Sequence, residues 1–110
     1  MQIASREQGD VIVFELQGRV DSNGAGQMDD ALQNAITENH YQIILDMSDV
    51  SYINSAGLRT LADILTKCQA NDGSLKLVAL GPKVERVLKI IGFDKFFMLY
   101  DTVDEAAADF

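Results

Sequence analysis

The sequence predicts an α/β domain built on a mixed sheet of four to five strands with about four helices. Short β-branched apolar runs alternate with stretches whose apolar residues recur at helical spacing. Their order is strand, strand, helix, strand, helix, strand, helix, which implies adjacent strands joined by right-handed helical crossovers. The 110 residues contain no tandem repeat, low-complexity tract or Pro/Gly/Ser linker, so residues 1–110 are expected to form one domain.

Val11 to Leu16 is apolar and β-branched and reads as a strand ending before a Gly18-Arg19 turn. Ile3 to Glu7 is its expected hairpin partner, joined through the tight-turn pair Gly9-Asp10. Met28, Leu32, Ala35 and Ile36 then fall on one helical face. Ile43-Ile44-Leu45 and Leu75 to Leu80 suit central strands covered on both faces, and are compatible with one covered face. Between them Leu58, Leu61, Ala62 and Leu65 again mark a helix. A third helix carries Val84, Val87, Leu88 and Ile91, opened by Pro82 and closed by Gly92. Phe96 to Leu99 is compatible with a short edge strand and with a loop plug. A last short helix starts at Thr102, with Glu105 completing a capping box and Val103, Ala106, Ala107 and Phe110 as its apolar face.

Nine Lys plus Arg against seventeen Asp plus Glu give a net charge of −8, which disfavours direct nucleic-acid contact and attachment to anionic lipid. No apolar run approaches the length of a membrane span, and the first residues lack a signal-peptide pattern. One cysteine, Cys68, fits a reducing compartment, and the expectation is a cytoplasmic protein.

Two strand-to-helix junctions gather small polar residues. One runs Gly18-Arg19-Val20-Asp21-Ser22-Asn23-Gly24; the other leads from Asp46 through Asn54-Ser55-Ala56-Gly57 to Leu58. Ser55 is the expected N-cap of the second helix. Free N–H groups and the positive end of the helix dipole there would stabilise a phosphoryl group on its hydroxyl. Asp21 and Ser22 read equally well as caps and turn formers. On composition and periodicity alone the function stays open.

The segment Asp46-Met47-Ser48-Asp49-Val50-Ser51-Tyr52-Ile53-Asn54-Ser55-Ala56-Gly57-Leu58 resembles the signature of STAS domains, specifically bacterial anti-sigma factor antagonists. That pattern is an acidic strand end, an apolar-x-x-apolar step, then Asp-Ser-(Ser/Thr/Ala)-Gly-Leu. Leu16 to Asp21 resembles the family's Gly-x-(Leu/Val)-Asp turn at the matching distance upstream, and length and element order agree over essentially the whole chain.

The resemblance implies a partner-switching protein with no catalytic machinery, metal or cofactor of its own. Ser55 matches the serine phosphorylated by an anti-sigma factor that is also a serine kinase of the histidine-kinase-like ATPase superfamily. The unmodified form binds that partner, the phosphorylated form is released, and a PP2C-type serine phosphatase resets it. The implied partner-binding residues are Asp21, Ser22, Asn23, Asn54, Ser55, Ala56, Gly57 and Arg59, with Asp21 beside the phosphorylated serine. On charge grounds a phosphate there is also expected to lie near Asp49 and to be repelled by both carboxylates. Two departures stand out: Asn54 replaces the family's Asp, and Ala56 leaves Ser51 and Ser48 as the weaker phosphorylation candidates.

The same fold also serves as a subunit clasping the ATPase of lipid-transporting ABC systems, or as a regulator outside sigma control. An enzyme using Asp21, Asp46 and Ser55 lacks a base matched to neutral pH. His40, the only histidine, reads as structural at the end of the first helix and Cys68 as packed, while Arg59 reads as solvated, with the phosphate and a nearby carboxylate as its other candidate partners. Lys83, Arg86 and Lys89 form a basic stripe that is either solvated or a docking face for an acidic partner.

Overall fold

The computed structural model describes residues 1–110. Five strands lie in the order β1 (Gln2–Gln8), β2 (Val11–Val20), β3 (Gln42–Ile53), β4 (Ser74–Val78) and β5 (Leu99–Tyr100). β1 is antiparallel to β2, and the remaining pairs are parallel. Helices α1 (Ser22–Thr37), α2 (Ser55–Gln69) and α3 (Pro82–Ile90) supply the crossovers, and α4 (Val103–Ala108) closes the chain. The predicted mixed sheet and four helices are present, and no helix is long and apolar enough to cross a membrane.

Strand alternation sorts the core into two layers. Ile12, Phe14, Leu16, Ile43, Leu45, Leu75 and Leu77 pack with α1, α2 and α3. Val11, Val13, Ile44 and Val78 point to the other face, where α4 supplies Ala106 and, at its edge, Val103 and Ala107. The central runs of β3 and β4 are therefore covered on both sides. Lys76, on that second face of β4, is fully buried. Its ammonium donates to the Ala106 carbonyl at 3.1 Å and sits 3.8 Å from the Phe110 ring centroid and 5.2 Å from that of Tyr100.

Three boundaries differ from expectation, and a fourth segment resolves an open alternative. β2 does not turn at Gly18-Arg19. The strand continues to Val20 through register shifts at Glu15/Gln17 and Gly18/Arg19, and Gly18 takes a φ of +121°, a conformation that favours glycine in such a bulge. β3 extends eight residues beyond Leu45, through the polar segment expected as a junction, because β2 pairs with it as far as Val20 opposite Ile53. β4 stops at Val78, where Ala79 adopts a left-handed φ of +56°. Phe96 to Leu99 combines both expected forms: after a 3₁₀ turn at Phe93–Lys95, Phe97 plugs the core and Leu99 opens the two-residue edge strand β5.

In α3 only Val84 and Leu88 are buried; the helix ends at Ile90, so Ile91 leaves the expected apolar face and is exposed. Pro82 opens this helix, and Gly92 follows its end with a φ of +80°. Thr102 caps α4 by accepting from the Glu105 N–H at 3.2 Å.

Candidate functional site

β2 and β3 are parallel and end side by side, so the two polar junctions lie together at the carboxyl edge of the sheet, where open α/β sheets commonly bind ligands. The tie is direct: the Asn54 N–H donates to the Val20 carbonyl at 2.9 Å. From this edge α1 and α2 descend packed against one another.

The two helix starts are built alike. Asp21 is the N-cap of α1, its carboxylate accepting from the Gly24 N–H at 2.9 Å. Asn54 is the N-cap of α2, its side-chain oxygen accepting from the Gly57 N–H at 2.9 Å. This corrects the expectation for Ser55, which is the first helical residue and not the cap. Both residues favour capping positions. The bond to Val20 holds Asn54 in extended backbone, with φ −99° and ψ 179°, and gives it the role. Ser55 is left exposed on the first turn, with its hydroxyl outside the capping bond.

Each cap requires its glycine. A Cβ on Gly24 would stand 2.2 Å from the Arg19 carbonyl oxygen, and one on Gly57 would stand 2.6 Å from Val20 Cγ1. Asp21, Ser22, Asn23 and Ser55 are exposed, Asn54 and Ala56 are half-buried, and Gly57 is buried. Ser22, Ala56 and Arg59 line one open trough between α1 and α2, shared with Asp29, Thr60 and Asp63. Arg59 is exposed and joins none of the ion pairs. It stands four residues after Ser55, one turn along the same helical face.

A polar ladder holds the two helices in register below this trough. Thr60 donates to Asp29 at 3.3 Å, Gln33 donates to Asp29 at 3.2 Å and to Asp63 at 2.8 Å, and Lys67 donates to Gln33 at 2.9 Å. The Gln33 hydrogen bond, with Lys67 beside it, holds the Asp63 carboxyl below the usual carboxylate range against a smaller opposing effect of burial.

Other expected neighbours lie apart. Asp49 pairs with Gln17, four residues back along β3 from Ile53, whereas Asp21 directly follows Val20, the residue tied to Asn54. Asp46 lies further back opposite Glu15 and accepts from the Ser48 N–H at 3.0 Å, so Asp21, Asp46 and Ser55 form no common cluster. Ser48 and Ser51 are exposed in β3, away from a helix start. His40 follows α1 at the opposite edge of the sheet, 3.4 Å from Glu7. The sequence reading missed the Arg19 guanidinium stacked 4.4 Å over the Tyr52 ring, a cross-strand pair created by the unexpected extension of β2 and β3.

Comparison with known proteins decides the family. The STAS domain model matches residues 2–106. The chain belongs to the STAS domain family. BtrV of Bordetella bronchiseptica, provisionally named an anti-sigma factor antagonist, is 32% identical over 100 residues, covering 91% of this chain and 86% of that protein. RsfB of Mycobacterium tuberculosis, an anti-sigma-F factor antagonist, is 28% identical across 87% of this STAS chain and 78% of its own length. A Thermotoga maritima crystal structure, provisionally named an anti-sigma factor antagonist, superposes with a TM-score of 0.92 at 26% identity, covering 97% of this chain and 92% of the other. The names carried by these STAS relatives are those of regulators, not enzymes.

Proposed function

We propose that this STAS domain is an anti-sigma factor antagonist working in the cytoplasm, switched by phosphorylation of Ser55. Unmodified, it binds an anti-sigma factor through the edge made by Asp21, Ser22, Asn23, Asn54, Ser55, Ala56, Gly57 and Arg59. The partner is a serine kinase of the histidine-kinase-like ATPase superfamily, and a PP2C-type phosphatase reverses the modification. The names of the relatives support the partner class.

One observation carries the reading: Asn54 takes the capping bond of α2, which leaves Ser55 exposed at the helix start with its hydroxyl outside that bond. A kinase can reach that oxygen without unfolding the helix. The γ-phosphoryl group of ATP passes to Ser55 Oγ, a base on the kinase takes the hydroxyl proton, and ADP leaves. The product adds a charge of about −1.5 to −2 beside Asp21. N–H groups at the helix start and Arg59 one turn on stabilise it within this chain. On a partner surface fitted to a neutral hydroxyl, the same charge is desolvated and unpaired, costing about 2–4 kcal/mol or roughly 30- to 1,000-fold in affinity.

The test is to incubate the chain with its kinase partner and Mg-ATP and weigh it. A gain of about 80 Da, one phosphoryl group, that disappears in Ser55→Ala and releases the partner is the expected result. Modification at Ser48 or Ser51, or a partner ATPase held equally tightly by both forms, overturns it.

A further inference from the structure

Charge is unevenly distributed over this acidic chain. Residues 83–95 hold four of the nine cationic side chains (Lys83, Arg86, Lys89 and Lys95) against only Glu85 and Asp94, a local net charge of +2 in a chain of −8. Residues 90–98 carry four of the six large apolar side chains left exposed: Ile90 (74%), Ile91, Phe96 (67%) and Met98. Phe96 and Lys95 border a groove of about 430 Å³ between the second half of α2 and the 3₁₀ turn, with Ala62, Leu65, Phe93 and Phe97 among its apolar lining.

We infer that this groove docks an acidic amphipathic helix of a partner protein. A helix laid in a groove inserts apolar anchors spaced one turn apart and keeps charged residues at the rim. Lys95 is the one charged residue lining the groove, and the neighbouring α3 adds Lys83, Arg86 and Lys89, so acidic flanks on the incoming helix are attracted and basic ones repelled. A concave site of modest charge, with Lys89 paired to Glu85 at 3.7 Å, suits a helix better than a broad anionic bilayer.

The inference does not rest on phosphorylation of Ser55. The α2 residues that line the groove, from Ala62 to Gln69, follow Ser55 by 7 to 14 residues on one helix, about 10–21 Å along its axis. That exceeds the Debye length of about 8 Å at physiological ionic strength, so a phosphate at Ser55 is screened from the groove. A partner there stays bound whichever state Ser55 is in.

The test is an amide-shift titration of the isotope-labelled full chain with two synthetic helices. One has apolar residues at i, i+3, i+4 and i+7 with Asp and Glu elsewhere; the other carries Lys in place of every acid. The acidic helix is expected to give saturable shifts confined to Ala62–Gln69 and Phe93–Met98. Binding should weaken about tenfold or more in Lys89→Glu/Lys95→Glu and in Phe96→Ser, and stay unchanged in Ser55→Glu. The exposure of all three altered side chains allows these variants to fold, which unshifted signals elsewhere will verify. Equal binding of the basic helix, shifts outside the groove, or no saturation overturns the inference. So does capture of the chain by phosphatidylglycerol vesicles, or self-association, with the same dependence on Phe96, Lys89 and Lys95.

Discussion

The backbone N–H of Asn54 donates to the Val20 carbonyl at 2.9 Å, one residue beyond the last β2–β3 pair, Val20 opposite Ile53. This bond joins the two junctions into one edge and selects the residue that starts α2. With Asn54 held extended, its side chain reaches the Gly57 N–H, and Ser55 enters the first helical turn with its hydroxyl free of that duty.

Asn54→Ala is therefore expected to lower stability by about 1 kcal/mol, the usual cost of losing an N-cap. Asn54→Asp keeps an acceptor and adds a charge at the positive end of the helix dipole, worth about 0.3–1 kcal/mol in the stabilising direction. Ser55→Ala, at an exposed non-capping position, should fall within about 0.5 kcal/mol of the parent. Urea unfolding of the three variants checks the order. A larger loss for Ser55→Ala than for Asn54→Ala would return the cap to Ser55.

Three helix glycines separate by what surrounds them. A Cβ at Gly26 meets nothing within 4 Å, so Gly26→Ala should gain the helix-propensity difference, about 0.8–1 kcal/mol. At Gly57 the same gain is offset by crowding against Val20 and Ile53, side-chain atoms that yield at a cost of about 1–3 kcal/mol. At Gly24 the obstacle is the Arg19 carbonyl oxygen at 2.2 Å, part of a backbone paired in the sheet, so the loss should be larger still. Melting temperatures should rank Gly26→Ala above the parent, then Gly57→Ala, then Gly24→Ala.

The outline of the fold was legible because Ile43-Ile44-Leu45, Leu75–Val78 and the four helical faces state their burial in their spacing. What escaped was decided by backbone pairing at a distance. Asp46 to Tyr52 reads as loop because most of its side chains are polar and exposed, yet β2 draws it into the sheet. Gly18 reads as a turn residue and serves as a bulge, since both uses draw on its tolerance of positive φ. The two junctions that meet at this edge were recognisable from their small polar residues. Which of Asn54 and Ser55 caps the helix was not, because the deciding partner is a carbonyl 34 residues earlier. Burial of Lys76 was equally illegible: its cover comes from Ala106 and Phe110, some thirty residues away.

Alkaline stability should reflect three groups of opposite sign. Burial raises the Cys68 thiol to about 11, and burial together with the Asp109 carboxylate raises the Tyr100 phenol to about 12. The unfolded chain loses both protons first, so these groups cost stability as pH climbs from about 9 toward 12. Lys76 runs the other way. Burial lowers its pKa from the usual 10.5, partly countered by Asp109, so the folded state releases that proton first and gains stability as pH rises toward 10.5. Lys76→Met removes the one opposing contribution and should steepen the alkaline decline, whereas Cys68→Ala should flatten it. Denaturant midpoints across pH 8–11 check both slopes, and parallel profiles for Lys76→Met and the parent would contradict the account.

The acid limb tests the polar ladder between α1 and α2. Hydrogen bonding from Gln33 and the nearby Lys67 ammonium hold Asp63 ionised below its usual 3.8. In acid the unfolded chain therefore takes up this proton before the folded one, and the contribution from Asp63, present above about pH 4, disappears as pH falls through the folded pKa. Asp63 is half exposed, so Asp63→Asn should change neutral-pH stability by no more than about 1 kcal/mol while flattening the acid limb. Gln33→Ala breaks the contacts to Asp29, Asp63 and Lys67 together, leaving Asp63 with Lys67 alone. Its Asp63 carboxyl should titrate closer to 3.8 by carbon-detected NMR, and an unmoved titration would show that Lys67 suffices to hold the charge.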